Sequence, residues 1–211
     1  MTDTSLTAES LAKRYGKTAV LDGITHTFAP GLTVVTGPSG GGKSTLLRVL
    51  ATLEAPSAGK VLWNGADVSA GRKAYRAQLG YAPQSVVWPE RLTGSEFLAQ
   101  IAAMKGLRAR EAKAQADALL ARVGLGGAGD RALAVYSGGM RRRLGVVQSL
   151  LGAPGVILLD EPTAELDAET AGAVEGLLRE MAERAVVVMT THRSDALIAA
   201  GARELVVGRG A

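Results

Sequence analysis

The spacing of apolar residues changes character along this chain, and each change marks a different kind of element. Short β-rich runs bounded by turn residues come first: Ala19 to Leu21, Ile24 to Phe28 and, after the Pro30-Gly31 turn, Leu32 to Thr36. Leu46, Leu47 and Leu50 then recur at helical spacing, which predicts a helix from near Lys43 that stops near Pro56. Lys60 to Trp63 reads as a strand closed by Asn64-Gly65, and Leu79 to Ala82 as one closed by Pro83. Helix formers then dominate: Ser95 to Met104, Arg110 to Val123 with Gly124 as its cap, and a helix from near Ser137 with Met140, Leu144, Val147 and Leu151 on one stripe. The alternation resumes with strand Val156 to Leu159, a helix over Val174, Leu177, Leu178 and Met181, and strands Val186 to Met189 and Leu205 to Val207. Buried strands alternating with amphipathic helices imply an α/β fold with a mainly parallel sheet, right-handed crossovers and a ligand at the carboxyl ends of the strands.

Composition narrows the picture only a little. The 211 residues, 47% of them apolar, suffice for one core with a lobe but not for two large domains. Without cysteine there are no disulfides, thiolate metal sites or cysteine nucleophiles, which fits a reducing cytosol. The opening MTDTSLTAES has no basic stretch followed by an apolar one, so no secretory signal is expected. Leu144 to Leu159 is strongly apolar, but Gln148, Ser149 and Pro154 interrupt it and a span needs about 20 apolar residues. It reads as helix, break, buried strand. A net charge of +4 is compatible with an anionic membrane face or nucleic acid and selects neither.

Two segments carry chemistry. Gly37, Pro38, Ser39, Gly40, Gly41, Gly42, Lys43, Ser44 and Thr45 match the phosphate-binding pattern G-x-x-x-x-G-K-[ST] between a predicted strand and a predicted helix. The glycines let successive N–H groups turn inward while the helix adds its positive end. Lys43 would reach the β- and γ-phosphates, and Ser44 would offer a hydroxyl to Mg²⁺. Such a loop fits kinases, GTPases and many ATPases alike. The second segment, VILLDE, delivers Asp160 and Glu161 at a strand end, one to hold Mg²⁺ and the other to polarise an attacking water.

Tyr136 to Arg141, YSGGMR, resembles the signature of the ATP-binding cassette (ABC) ATPases, and the resemblance runs from about Ser5 to the C-terminus. Ser137 would cap a helix whose Gly138 and Gly139 expose N–H groups as a second anion site. The resemblance implies head-to-tail pairing, each ATP held by the phosphate loop of one subunit and the signature of the other. Position by position it further implies that Tyr15 stacks on adenine and that Gln84 senses Mg²⁺ and γ-phosphate and relays this to a transport partner. It also places Asp167 in a loop linking the two sites and His192 against the γ-phosphate, whereas His26 is expected to be structural. Three departures stand out: Tyr136 in place of leucine, Met140 in place of glutamine or glutamate, and Glu165 where a small residue is usual. The run Arg141 to Arg143 is expected to be a solvated helix face.

The implied fold is a P-loop NTPase core with a mainly parallel sheet, an N-terminal antiparallel β subdomain and an inserted α-helical subdomain. Residues 1–83 and 153–211 form the core and 84–152 the helical part, with the signature. The implied protein binds ATP and Mg²⁺ and hydrolyses ATP, as a homodimer or paralogous heterodimer, to power a separate transmembrane permease. It would be cytoplasmic, peripheral on the inner face of the membrane, with no nucleic acid as partner. SGGMRRRL and PERLTGSEFL look most like drug- and polysaccharide-exporting members. An ATP-gated module in cell division or nucleic-acid repair is the alternative, and a generic kinase would leave YSGGM and His192 unexplained. Lys43→Ala is expected to abolish ATP binding in a fluorescent-nucleotide titration; undiminished affinity would remove the phosphate-loop assignment.

Overall fold

The computed structural model describes residues 4–208. Strands β1 (Leu6–Tyr15), β2 (Thr18–Phe28), β4 (Ala58–Trp63) and β5 (Ala66–Asp67) make an antiparallel sheet in the order β2-β1-β4-β5. A second sheet is wholly parallel: β6 (Leu79–Ala82), β7 (Val156–Asp160), β8 (Val186–Thr190), β3 (Gly31–Thr36) and β9 (Arg203–Val206), in that order. Helix α1 (Lys43–Leu50) follows β3, and α2 (Arg72–Ala77) precedes β6. Helices α3 (Gly94–Met104), α4 (Ala109–Arg122) and α5 (Gly138–Leu150) intervene between β6 and β7, and α6 (Ala168–Ala182) and α7 (Ser194–Ala199) flank β8.

The inner strands β7, β8 and β3 are buried on both faces, whereas the edge strand β9 is largely exposed, and the apolar runs of the inner strands divide by parity. Ile157, Leu159, Val187, Met189, Leu32 and Val34 pack with α3 to α6 on one side. Val156, Leu158, Val186, Val188 and Val35 pack with α1 and the antiparallel sheet on the other. No helix among the described residues is long and apolar enough to cross a membrane. The apolar stretch from Leu144 divides as expected into the end of α5, a break and β7.

Several features depart from the sequence expectation, among them β2, which joins the runs Ala19 to Leu21 and Ile24 to Phe28 in one strand. β1 was not anticipated: its buried Leu6, Ala8 and Leu11 are spaced by polar residues and by a register shift near Ser10, whose φ of 48° breaks the two-residue period. α1 ends at Leu50 rather than near Pro56, because the chain turns at Ala51 to Thr52. α2 and α7, six residues each, are too short for periodicity to reveal.

One glycine joins the edge of the parallel sheet to the helical cluster. Gly80 in β6 lies so close to α5 that a Cβ there would overlap the Ser149 carbonyl. Gln148, one residue earlier, donates to the Tyr81 carbonyl at 2.6 Å and holds the same contact from the side chain. Gly80→Ala is therefore expected to lower unfolding free energy by about 1–3 kcal/mol through overpacking, measured by denaturant titration. Wild-type stability would show that α5 can withdraw freely.

Candidate functional site

The carboxyl ends of β3, β6, β7 and β8 open on one cavity of about 590 Å³. Gly37, Ser39, Gly40, Gly41, Gly42, Lys43, Ser44, Thr45, Gln84, Asp160, Glu161 and His192 line it. In the loop after β3, Pro38 contributes its carbonyl, which accepts from the Gly41 N–H at 3.0 Å. The Lys43 ammonium donates to the Gly37 and Pro38 carbonyls at 2.8 and 2.9 Å. At Gly42, the N-cap of α1, φ is 96° and a Cβ would stand 2.7 Å from the Val20 carbonyl, so only glycine brings the loop this close to β2. The first turn of α1 leaves N–H groups without intrahelical partners beside Lys43.

Opposite the loop, strand register does the positioning. Thr190 is aligned with Asp160 on one side and with Val35 on the other. Its hydroxyl donates to Asp160 Oδ1 at 2.7 Å and accepts from the Glu161 N–H at 2.9 Å. Glu161 takes a left-handed conformation, φ 53°, a strained choice for this residue. Both acids are buried, and His192 Nε2 lies 3.4 Å from Glu161 Oε1 on a side chain otherwise in solvent. Burial, with Asp160 nearby, pushes the Tyr81 hydroxyl up to about 12. Among the described residues no cluster of three or more His, Cys, Asp or Glu could hold a metal alone. The Ser44 hydroxyl and Asp160 carboxylate are hard oxygen donors, the chemistry that suits Mg²⁺ completing its shell with phosphate and water.

The remaining sequence-predicted residues lie elsewhere. Ser137 caps α5, its hydroxyl accepting from the Met140 N–H at 3.2 Å, with Gly138 and Gly139 in the first turn. Asp167 caps α6; the Thr170 N–H and hydroxyl, at 2.9 and 2.8 Å, hold its carboxyl below the usual range. The two caps are neighbours: a Cβ on Gly138 would stand 3.0 Å from Glu165 Oε2, and one on Gly139 would stand 3.2 Å from Leu166 Cδ2. Gln84 and Asp160 also border a smaller cavity of about 210 Å³ shared with Gly138, Arg142 and Glu165. Tyr15 is exposed at the end of β1. His26 packs edge-on against Phe28, ring centroids 4.6 Å apart, as a structural residue would.

One reading of the signature changes, and one departure gains a partner. Arg141 to Arg143 are half-buried, not a solvated face. Arg141 donates to the Leu133 carbonyl (3.1 Å), Arg142 to that of Gln84 (2.5 Å) and Arg143 to those of Val123 and Gly124 (2.9 and 3.4 Å). Tyr136 is buried, and its hydroxyl donates to the Ala128 carbonyl at 2.7 Å, a partner that leucine would leave unpaired.

The profile of the ABC transporter family matches residues 21–164. The chain is 40% identical over 192 residues to the daunorubicin resistance ATP-binding protein DrrA3 of Streptomyces coeruleorubidus, covering 90% of this chain and 61% of that one. It is 40% identical over 197 residues to the lipoprotein-releasing system ATP-binding protein LolD of Xanthomonas oryzae pv. oryzae, covering 88% of this chain and 81% of that one. The Fe(3+) ions import ATP-binding protein FbpC of Brucella abortus is 36% identical over 209 residues, 98% of this chain and 59% of FbpC. A solved ATP-binding subunit of an ABC transporter superposes with a TM-score of 0.88 at 26% identity, over 96% of this chain and 85% of that one. The chain belongs to the ABC transporter family, whose ATP-binding domains are ATPases coupled to transport, and its fold is that of a P-loop NTPase. It spans about three fifths of the length of DrrA3 and FbpC.

Thr190→Val should leave the Asp160 carboxylate short of a donor and the Glu161 N–H short of an acceptor. A loss of about 1–3 kcal/mol is expected in chemical denaturation; unchanged stability would show that the bridge is dispensable.

Proposed function

We propose that this chain is the ATP-binding and ATP-hydrolysing subunit of an ABC exporter and drives a separate transmembrane permease through ATP-dependent dimerisation. The observation that carries this is the convergence of the Lys43 loop, Asp160, Glu161, Gln84 and His192 on one cavity at the strand ends. Lys43 and the loop N–H groups bind the β- and γ-phosphates. Ser44, Asp160 and Gln84 would hold Mg²⁺, which would neutralise phosphate charge when bound.

Glu161 orients the attacking water and accepts its proton as the water oxygen bonds to γ-phosphorus and the bond to the ADP oxygen breaks. Glu161 lies within reach of His192, which contacts both it and the γ-phosphate. Ser137, Gly138 and Gly139 close the site of a second subunit, while Asp167 links the two sites. The dimer is a homodimer or a paralogous heterodimer.

The permease contact belongs to residues 84–152 and α2. A groove of about 840 Å³ lined by Arg72, Arg76, Leu79, Tyr81, Ile101 and Met104 supports this, with Met104 strongly exposed. Held there, the subunit sits on the inner face of the membrane. The name of DrrA3 favours export of a drug-like cargo. FbpC, named for iron import, favours uptake as a second reading. Flux assays in vesicles that hold this chain together with a candidate permease separate the two.

Glu161→Gln is expected to bind ATP, to lose turnover by about a hundredfold or more, and to elute as an ATP-dependent dimer in size-exclusion chromatography. A monomer with normal hydrolysis would overturn the assignment of the base.

A further inference from the structure

Outside the cavity, one carboxylate gathers an unusual set of partners. Glu54 lies in the turn after α1 and is half-buried. It accepts from the Tyr15 hydroxyl through Oε2 and from Arg48 Nε through Oε1 at 2.6 Å. Lys13 Nζ stands 3.3 Å from Glu54 Oε2 and donates to the Ala55 carbonyl at 2.7 Å. The turn is itself fixed to β1: the Ser57 N–H donates to the Ala12 carbonyl at 2.8 Å, and the Arg14 N–H to Ser57 Oγ at 3.0 Å. The Tyr15 hydroxyl first, then Arg48 and Lys13, hold the Glu54 carboxyl below the ordinary range against its burial, so it serves as an anionic acceptor.

This cluster bears on the Tyr15 ring in two ways. Lys13 Nζ lies over the ring, 5.2 Å from its centroid, a cation–π contact. Tyr15 as a residue nevertheless remains 44% exposed, so surface is left for a flat partner. The hydroxyl is committed to Glu54, which removes rotational freedom that stacking would otherwise have to remove. Arg48 also donates to Thr45 Oγ1 at 3.1 Å, so the cluster reaches the phosphate loop from behind.

We propose that Glu54 is the positioning residue of the nucleoside platform: through Tyr15, Lys13 and Arg48 it presents the aromatic ring to adenine in register with the phosphate loop. This rests on the reading of Tyr15 as the adenine-stacking residue. Glu54 touches neither nucleotide nor phosphate in this assignment and acts only through its neighbours.

The test compares ATP with inorganic tripolyphosphate, which has no base to stack. Glu54→Ala is expected to raise KM and Kd for ATP by about five- to tenfold, within the range of a base–aromatic stack, with a much smaller change in kcat and no change in tripolyphosphate affinity. Glu54→Gln, which keeps an acceptor oxygen, should recover part of the loss. Tyr15→Ala should weaken ATP at least as much, and the Tyr15→Ala/Glu54→Ala pair no more than Tyr15→Ala alone. Should Glu54→Ala fold poorly by thermal melting, Tyr15→Phe removes only the surface hydroxyl and should raise KM in the same direction.

Unchanged ATP affinity in Glu54→Ala or Tyr15→Phe, with Tyr15→Ala impaired, would overturn the positioning role alone. Equal loss of tripolyphosphate would show a structural role instead. Unchanged affinity in Tyr15→Ala would overturn the stacking assignment and this proposal together.

Discussion

The Thr190 hydroxyl bridges two strand ends, donating to Asp160 and accepting from Glu161, and so ties both acids at the carboxyl end of the sheet to one side chain. It forms because β7, β8 and β3 run parallel and in register, so that Asp160, Thr190 and Val35 lie side by side where their strands stop. A one-residue slip would exchange the apolar faces of a strand and send the carboxylates to the wrong side of the sheet. The parity of the buried side chains enforces the register, with Ile157 and Leu159 committed to one cluster and Val156 and Leu158 to the other. Core packing and acid placement are thus set by one alignment.

Much of this was legible along the chain because its determinants are local. Gly37 to Thr45 carry the phosphate-loop pattern in their own composition, and VILLDE announces both the buried strand and the acids at its end. Helical periodicity located α3, α4 and α5 to within a residue or so at most ends. What escaped depended on distant partners. The alternation in β1 is broken at Ser10, and its identity as a strand comes from pairing with β2 and β4. Charge alone made Arg141 to Arg143 look solvent-facing, whereas their partners are carbonyls brought by three other segments. Glu54 gave no signal, because Lys13, Tyr15 and Arg48 meet it only in three dimensions.

The unusual residues of the signature region are individually accommodated. Tyr136 exchanges leucine's bulk for a buried ring whose hydroxyl has a carbonyl partner. Met140 packs its side chain at the rim of the helical core. Glu165 adopts φ 64° beside Gly138, strain of the kind that collects in functional segments. Its carboxylate puts negative charge near the first turn of α5, where the helix dipole favours it. The N-terminus of α5 therefore carries a local anion from its own chain in addition to the Ser137 cap.

The close approach of Gly80 to Ser149 gives α5 the geometry of a lever. Ser149 is near the carboxyl end of the helix and Ser137 caps the other, a separation of about 18 Å along the axis at the α-helical rise. A tilt of about 5° about that contact displaces the cap by about 1.6 Å, roughly half the length of a hydrogen bond. A rotation too small to disturb the packing of the sheet edge would thereby be magnified into the difference between a made and a broken polar contact at the far end.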